Sequence, residues 1–220
     1  MTVNIGSNLV GEKMKRAESI DNKLIRESAE HLIGQQASAT ELWIPGSLEP
    51  TDDAPPAAFK TAMRALAGGV AVITVGRGEQ RTGFTATSVV SLSAEPPRLM
   101  FGISTASSSW NSLEEGGAFA VNLLSASDTD VANRFAGRGG EKGLARYEGV
   151  EWVERKTGIE TLSSALAGFD CEIEEVFLRY DHAIVIGRVK EAWLGPAAQA
   201  EALVYWQGSF GKFCDAVSKA

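Results

Sequence analysis

Apolar positions along the chain fall into two regimes. Before residue 54 they are sparse: Ile25, Ala29, Leu32 and Ile33 keep helical spacing, which predicts one amphipathic helix ending near Gln35, with Ser19 as its cap and Asp21 in its first turn. The segment 37–56 carries Pro45-Gly46, Pro50 and Pro55-Pro56 and reads as a linker. Trp43 and Ile44 are too apolar for a free tail, so this arm is expected to pack on the domain or on a partner subunit. The expected division is therefore a helical arm and linker over 1–56 and one domain over 57–220.

Within that domain the period changes from helical to extended. Phe59, Met63 and Leu66 stand at i, i+4 and i+7, and Gly68-Gly69 closes the helix they predict. A continuous β-rich run covers 70–75, a glycine turn covers 76–79, and strands are predicted over 81–91 and 98–104. A short helix over 108–115 ends at Gly116-Gly117, a strand covers 118–124, and Ser127 is expected to cap a helix reaching Phe135. The glycine-rich, charged segment 137–149 reads as a mobile loop. Phe169, Cys171 and Ile173 alternate with polar residues until the phase slips at Glu174-Glu175, which predicts a bulge. Strands over 183–193 and 202–206 complete the set. Short turns join most strands, and helices are inserted between them without regular alternation. This is the pattern of a mainly β, antiparallel barrel.

Composition narrows the chemistry. The 220 residues are 44 % hydrophobic, enough for a real core, and the net charge of −7 argues against nucleic acid or an anionic membrane as partner. Two cysteines, Cys171 and Cys214, make neither a zinc spacing nor a disulfide framework, so a soluble protein of the reducing cytoplasm is expected. No metal site is predicted. Phosphate-loop glycine motifs and a serine-hydrolase elbow are absent, and only two histidines occur. His31 falls in the predicted arm helix and reads as a solvated residue. The segment 82–101, TGFTATSVVSLSAEPPRLMF, is the most telling: Thr85, Thr87, Ser88 and Ser91 lie among apolar residues, as a flat ligand with a polar edge would require. Ser107, Ser108 and Ser109 then open a predicted helix, where free N–H groups favour an anion.

Several segments together resemble the short-chain flavin reductases that supply reduced flavin to two-component monooxygenases. They are FKTAMRALAGGVAVIT, GFTATSVVSLSAEPP, SSSWNSL, FAVNLL followed by ANRFAG, YDHAIVIGRV and LVYWQGSFGKF, in that order from about Phe59 to Phe213. The resemblance implies an FMN-binding split β-barrel, Greek-key-like, usually a homodimer with the flavin near the subunit interface. It implies reduction of FMN or FAD by NADH or NADPH, with the reduced flavin leaving for a partner monooxygenase. On this sequence it places Thr85, Ala86, Thr87 and Ser88 beside the isoalloxazine with Ser91 nearby, and Ser107, Ser108 and Ser109 at the phosphate. It adds Asn122 from a Val-Asn-Leu strand position, Arg146 as a further phosphate contact, and His182 as the catalytic residue facing the nicotinamide. Two departures stand out: Tyr180 occupies the glycine of the family's Gly-Asp-His step, and Ser209-Phe210 replaces an Arg-Tyr-like pair. A flavin carrier or sensor without turnover, and a related split-barrel FMN oxidase, are the alternative readings.

Overall fold

The computed structural model describes residues 53–213. The arm helix expected within 1–52, His31 and Cys214 lie outside the described residues. After helix α1 (Pro56–Met63) the strands are β1 (Gly68–Gly69), β2 (Ala71–Val75), β3 (Thr82–Ala86), β4 (Val90–Ala94) and β5 (Pro97–Ser104). Helix α2 (Trp110–Gly116), β6 (Ala118–Leu123) and helix α3 (Thr129–Phe135) follow, then β7 (Trp152–Glu154) and β8 (Glu160–Leu162). The long pair β9 (Ala167–Arg179) and β10 (His182–Leu194) precedes the hairpin β11 (Ala202–Trp206) and β12 (Ser209–Phe213). Among the described residues no helix is long and apolar enough to cross a membrane.

Seven strands form the main sheet in the order β3-β2-β6-β9-β10-β5-β4, with every pairing antiparallel. Its two edge strands, β3 and β4, are consecutive in the chain. The link Thr87-Ser88-Val89 leaves four Cα steps between Ala86 and Val90, a reach of at most about 14 Å. The two edges of the sheet must therefore lie close, so the sheet rolls up on itself. Closure is visible in the packing: the rings of Phe84 on β3 and Phe101 on β5 lie 5.8 Å apart. Across the seam, the Ser88 hydroxyl accepts from the Gly102 N–H at 3.1 Å and donates to the Gly102 carbonyl at 3.3 Å.

All five residues of β2 are buried, because it has core on both faces. Ile73 and Val75 face a barrel interior shared with Phe101, Phe119, Val121, Cys171 and Val185. Val72 faces a second cluster of Val131, Phe135, Tyr147, Leu162 and Leu203, where α3 and the hairpin strand β11 cover the sheet. The burial of 71–75 thus has two separate causes.

The differences from expectation are local. The strand predicted over 81–91 is two strands, because at 87–89 the chain crosses from one sheet edge to the other. The cap expected at Ser127 moves to Ser125: the Asp128 carboxylate accepts from the Ser125 N–H at 2.9 Å, a 3₁₀ turn covers 126–128, and α3 starts at Thr129. The bulge is where the alternation slips, since Ile186 pairs with Glu175 and Gly187 with Ile173, leaving Glu174 over. The segment 137–149 is anchored, not free: it contains the 3₁₀ turn Gly143–Tyr147, in which Arg146 and Tyr147 are buried. The helix predicted from Phe59, Met63 and Leu66 forms but ends at Met63, before Leu66 and well short of Gly68-Gly69, and the three residues are 58 %, 46 % and 66 % exposed.

Candidate functional site

The seam of the rolled sheet opens into a cavity of about 490 Å³. One wall is the end of β3 and its exit, Phe84 to Ser88; the facing wall is Gly102, Ile103 and Ser104 of β5, continuing to Ser107 and Ser108. Phe135 and Ala136 from the end of α3, together with Arg146, close the floor. Gly83 makes this floor possible, because a Cβ there would lie 2.3 Å from the Ile73 carbonyl and 2.8 Å from Cε1 of Phe135. Only glycine lets α3 approach β3 this closely. The Thr85 hydroxyl then fastens the two, donating to the Ala132 carbonyl at 2.7 Å.

Arg146 is 7 % exposed and has no carboxylate partner among its hydrogen bonds. Its guanidinium donates to the carbonyls of Gly83 and Glu141 and to the hydroxyls of Thr82, Ser109 and Ser108. Burial pushes its pKa down, opposed by the charges of Tyr147 and Glu141. A buried cation served only by neutral oxygens is incompletely compensated, and the cavity it lines is where an anion would complete it. Tyr147 beside it is structural: its hydroxyl donates to the Thr82 carbonyl at 2.6 Å, and burial raises its pKa.

The residues singled out in the sequence separate into groups. Thr85, Ala86, Thr87, Ser88, Ser107, Ser108 and Arg146 all line the cavity. Of their hydroxyls, those of Thr85 and Ser88 are engaged within the protein. The Ser108 hydroxyl accepts from Arg146 and the Ser107 hydroxyl from the Ser109 N–H, so each retains its own proton to donate. Ser109 is fully buried behind the wall, donating to the Gly83 carbonyl at 2.9 Å. Asn122 is fully buried as well; its amide donates to the Val72 carbonyl and accepts from the Leu162 N–H, tying β2, β6 and β8 together. Ser91 is exposed on β4, opposite Leu99. The sequence reading did not include Phe84, Gly102, Ile103, Ser104, Phe135 or Ala136. The contact of β5 with the β3–β4 link puts Gly102, Ile103 and Ser104 there, and no local motif announces it.

His182 opens β10, exposed, directly opposite Ser104 of the cavity wall. Its Nδ1 lies 2.8 Å from Oδ1 of Asp181, and this hydrogen bond holds the Asp181 carboxyl below its ordinary range. The turn is tied to the same wall: the Asp181 carbonyl accepts from the Thr105 N–H at 3.0 Å and from the Thr105 hydroxyl at 3.2 Å. A partly apolar cavity with a buried arginine thus lies beside an exposed histidine bonded to its neighbouring aspartate.

The fold is therefore a rolled antiparallel barrel with a cavity at its seam that a buried arginine lines. The comparisons agree, and the chain belongs to the flavin reductase-like domain family, which matches residues 63–213. It is 37 % identical over 153 residues to the reductase component of 4-hydroxyphenylacetate 3-monooxygenase from Thermus thermophilus, covering 70 % of this chain and 93 % of that one. It is 33 % identical over 149 residues to the FMN reductase (NADH) RutF of Pseudomonas syringae, covering 68 % and 82 %. Among solved structures, it is similar to BorF, the flavin reductase component of a bacterial two-component tryptophan halogenase. The TM-score is 0.67 at 30 % identity, covering 73 % of this chain and 99 % of that one.

Proposed function

We propose that this chain is an NADH-dependent flavin reductase that supplies reduced flavin to a partner monooxygenase, with FMN as the flavin bound. The observation that carries the site assignment is Arg146, a buried cation with no carboxylate among its hydrogen-bond partners, set in the cavity floor beside two hydroxyls that can still donate. These groups suit a phosphate monoester. Residues 57–220 form the reductase domain in this reading, and 1–56 an arm outside it.

A flavin in the cavity supplies the redox chemistry, accepting a hydride from the nicotinamide, so the protein needs neither a nucleophile nor a metal. The task left to the side chains is placement. Arg146, Ser107 and Ser108 would hold the phosphate, Thr87 and Ser104 would meet the polar edge of the ring, and Phe84, Ile103 and Phe135 would exclude water. Asp181 keeps the proton of His182 on Nδ1, which leaves Nε2 to accept from the nicotinamide amide N–H. The histidine orients the nicotinamide and moves no proton.

The chain is also proposed to pair with a second copy. Phe59 and Met63 of α1 and Leu66 just beyond it are exposed, as are Trp206 and Phe213 on the hairpin beside it, an apolar area suited to an interface. Light scattering should then give twice the chain mass.

The functional test is an anaerobic titration. The FMN-loaded protein should lose its yellow absorbance with about one equivalent of NADH. A protein that binds FMN and stays yellow is a carrier, and the proposal fails.

A further inference from the structure

Two residues other than glycine have left-handed backbone among the described residues: Tyr180 (φ 54°) and Gln207 (φ 51°). Gln207 is accounted for locally. It precedes Gly208 (φ 85°) in a tight hairpin turn, its N–H donates to the Arg64 carbonyl at 3.1 Å, and its carbonyl accepts from Arg64 at 2.8 Å. Tyr180 has no such compensation. It occupies the first position of the two-residue turn between Arg179 and His182, where glycine or asparagine is least strained. Its side chain is fully exposed and contributes nothing to the core. An unfavourable backbone carrying an unused aromatic ring points to a role outside the fold.

The position suggests which one. The same turn carries Asp181 and His182, and the two hydrogen bonds from Thr105 to the Asp181 carbonyl hold it against the cavity wall. Tyr180 thus presents an exposed ring from a pinned turn, next to the histidine proposed to orient the nicotinamide.

We propose that Tyr180 is a specificity-determining residue whose ring stacks on the adenine half of the nicotinamide dinucleotide as it docks. The inference rests on the reductase reading. A ring with only two rotatable bonds, on a pinned turn, gives contact area with little ordering cost. Binding of flavin itself is not affected.

The test uses the full chain with Tyr180→Gly, Tyr180→Asn and Tyr180→Phe. Glycine and asparagine both suit the left-handed turn, so neither should unfold the hairpin, and Tyr180→Gly should raise the melting temperature by about 2–4 °C. Both should raise KM for NADH about three- to tenfold while kcat changes much less. Tyr180→Phe should behave like the wild type. With reduced nicotinamide mononucleotide, which lacks the adenosine, wild type and all three variants should coincide. An unchanged KM for NADH in the glycine and asparagine variants would overturn the proposal. So would an equal loss in Tyr180→Phe, or an equal loss with the mononucleotide. A change confined to oligomeric mass would make Tyr180 a contact between copies, which also overturns it. A wild type that does not oxidise NADH with flavin would instead defeat the reductase reading itself.

Discussion

Arg146 concentrates the energetic problem of the site at one residue. Its donors are shared among carbonyls and hydroxyls, and burial pushes its pKa down although neighbouring charges, Glu141 among them, oppose the shift. The sequence made the residue visible only through its family context, because an arginine in a glycine-rich segment otherwise reads as solvated. Ser109 and Asn122 illustrate the opposite limit. A polar side chain in a strand looks the same in sequence whether it meets a ligand or bonds a neighbouring backbone, and here both make buried internal bonds. His182 yields a prediction at this scale. Replacing it with alanine should leave FMN affinity nearly intact and lower kcat/KM for NADH by about ten- to a hundredfold, or about 1.4–2.7 kcal/mol. Stopped-flow reduction of the FMN-loaded variant checks it; normal hydride transfer with weaker FMN retention would mean that the residue is structural.

Among the elements, the bulge in β9 was legible and the break between β3 and β4 was not. The bulge interrupts an alternation, so the pattern itself changes at Glu174-Glu175. The break at Thr87-Ser88-Val89 prolongs a run of small and β-branched residues, and only pairing with β5 on the far side of the barrel reveals it. Glu174, left over by the bulge, reaches across β10 to Arg98 of β5, with Arg98 Nη2 at 2.7 Å from Oε1 and Arg188 Nη2 at 3.2 Å. The hydrogen bonds from Arg98 are the main reason its carboxyl titrates below the usual range. A depressed folded pKa stabilises the fold above the unfolded value of about 4.3, and that contribution is lost as pH falls through the folded pKa. Glu174→Gln should therefore destabilise the protein by about 1–2 kcal/mol at neutral pH. The gap to wild type should shrink steadily below about pH 4.3 in urea unfolding. A gap independent of pH would show that packing at the bulge, not charge, is what Glu174 supplies.

For the molecule as a whole, closure of the sheet creates the site: two strands consecutive in sequence stand at opposite sheet edges, and Thr87 and Ser88 of the link between them continue a cavity wall. The antiparallel barrel was foreseeable from short turns and strand spacing, whereas the cavity floor was not. That floor depends on Gly83 admitting Phe135 and on the anchoring of a segment whose glycines suggest mobility. On the proposed reading this floor holds the phosphate of a flavin, and dissociation constants of FMN and riboflavin for the wild type and Arg146→Met decide it. The methionine leaves the Gly83 carbonyl satisfied by Ser109, so the fold should persist, as the melting temperature without flavin will report. The wild type should bind FMN about a hundredfold more tightly than riboflavin, the equivalent of two charge-assisted hydrogen bonds. In Arg146→Met that preference should largely disappear, with riboflavin affinity unchanged. Equal affinity of the wild type for the two flavins, or an FMN preference that survives in the variant, would contradict it.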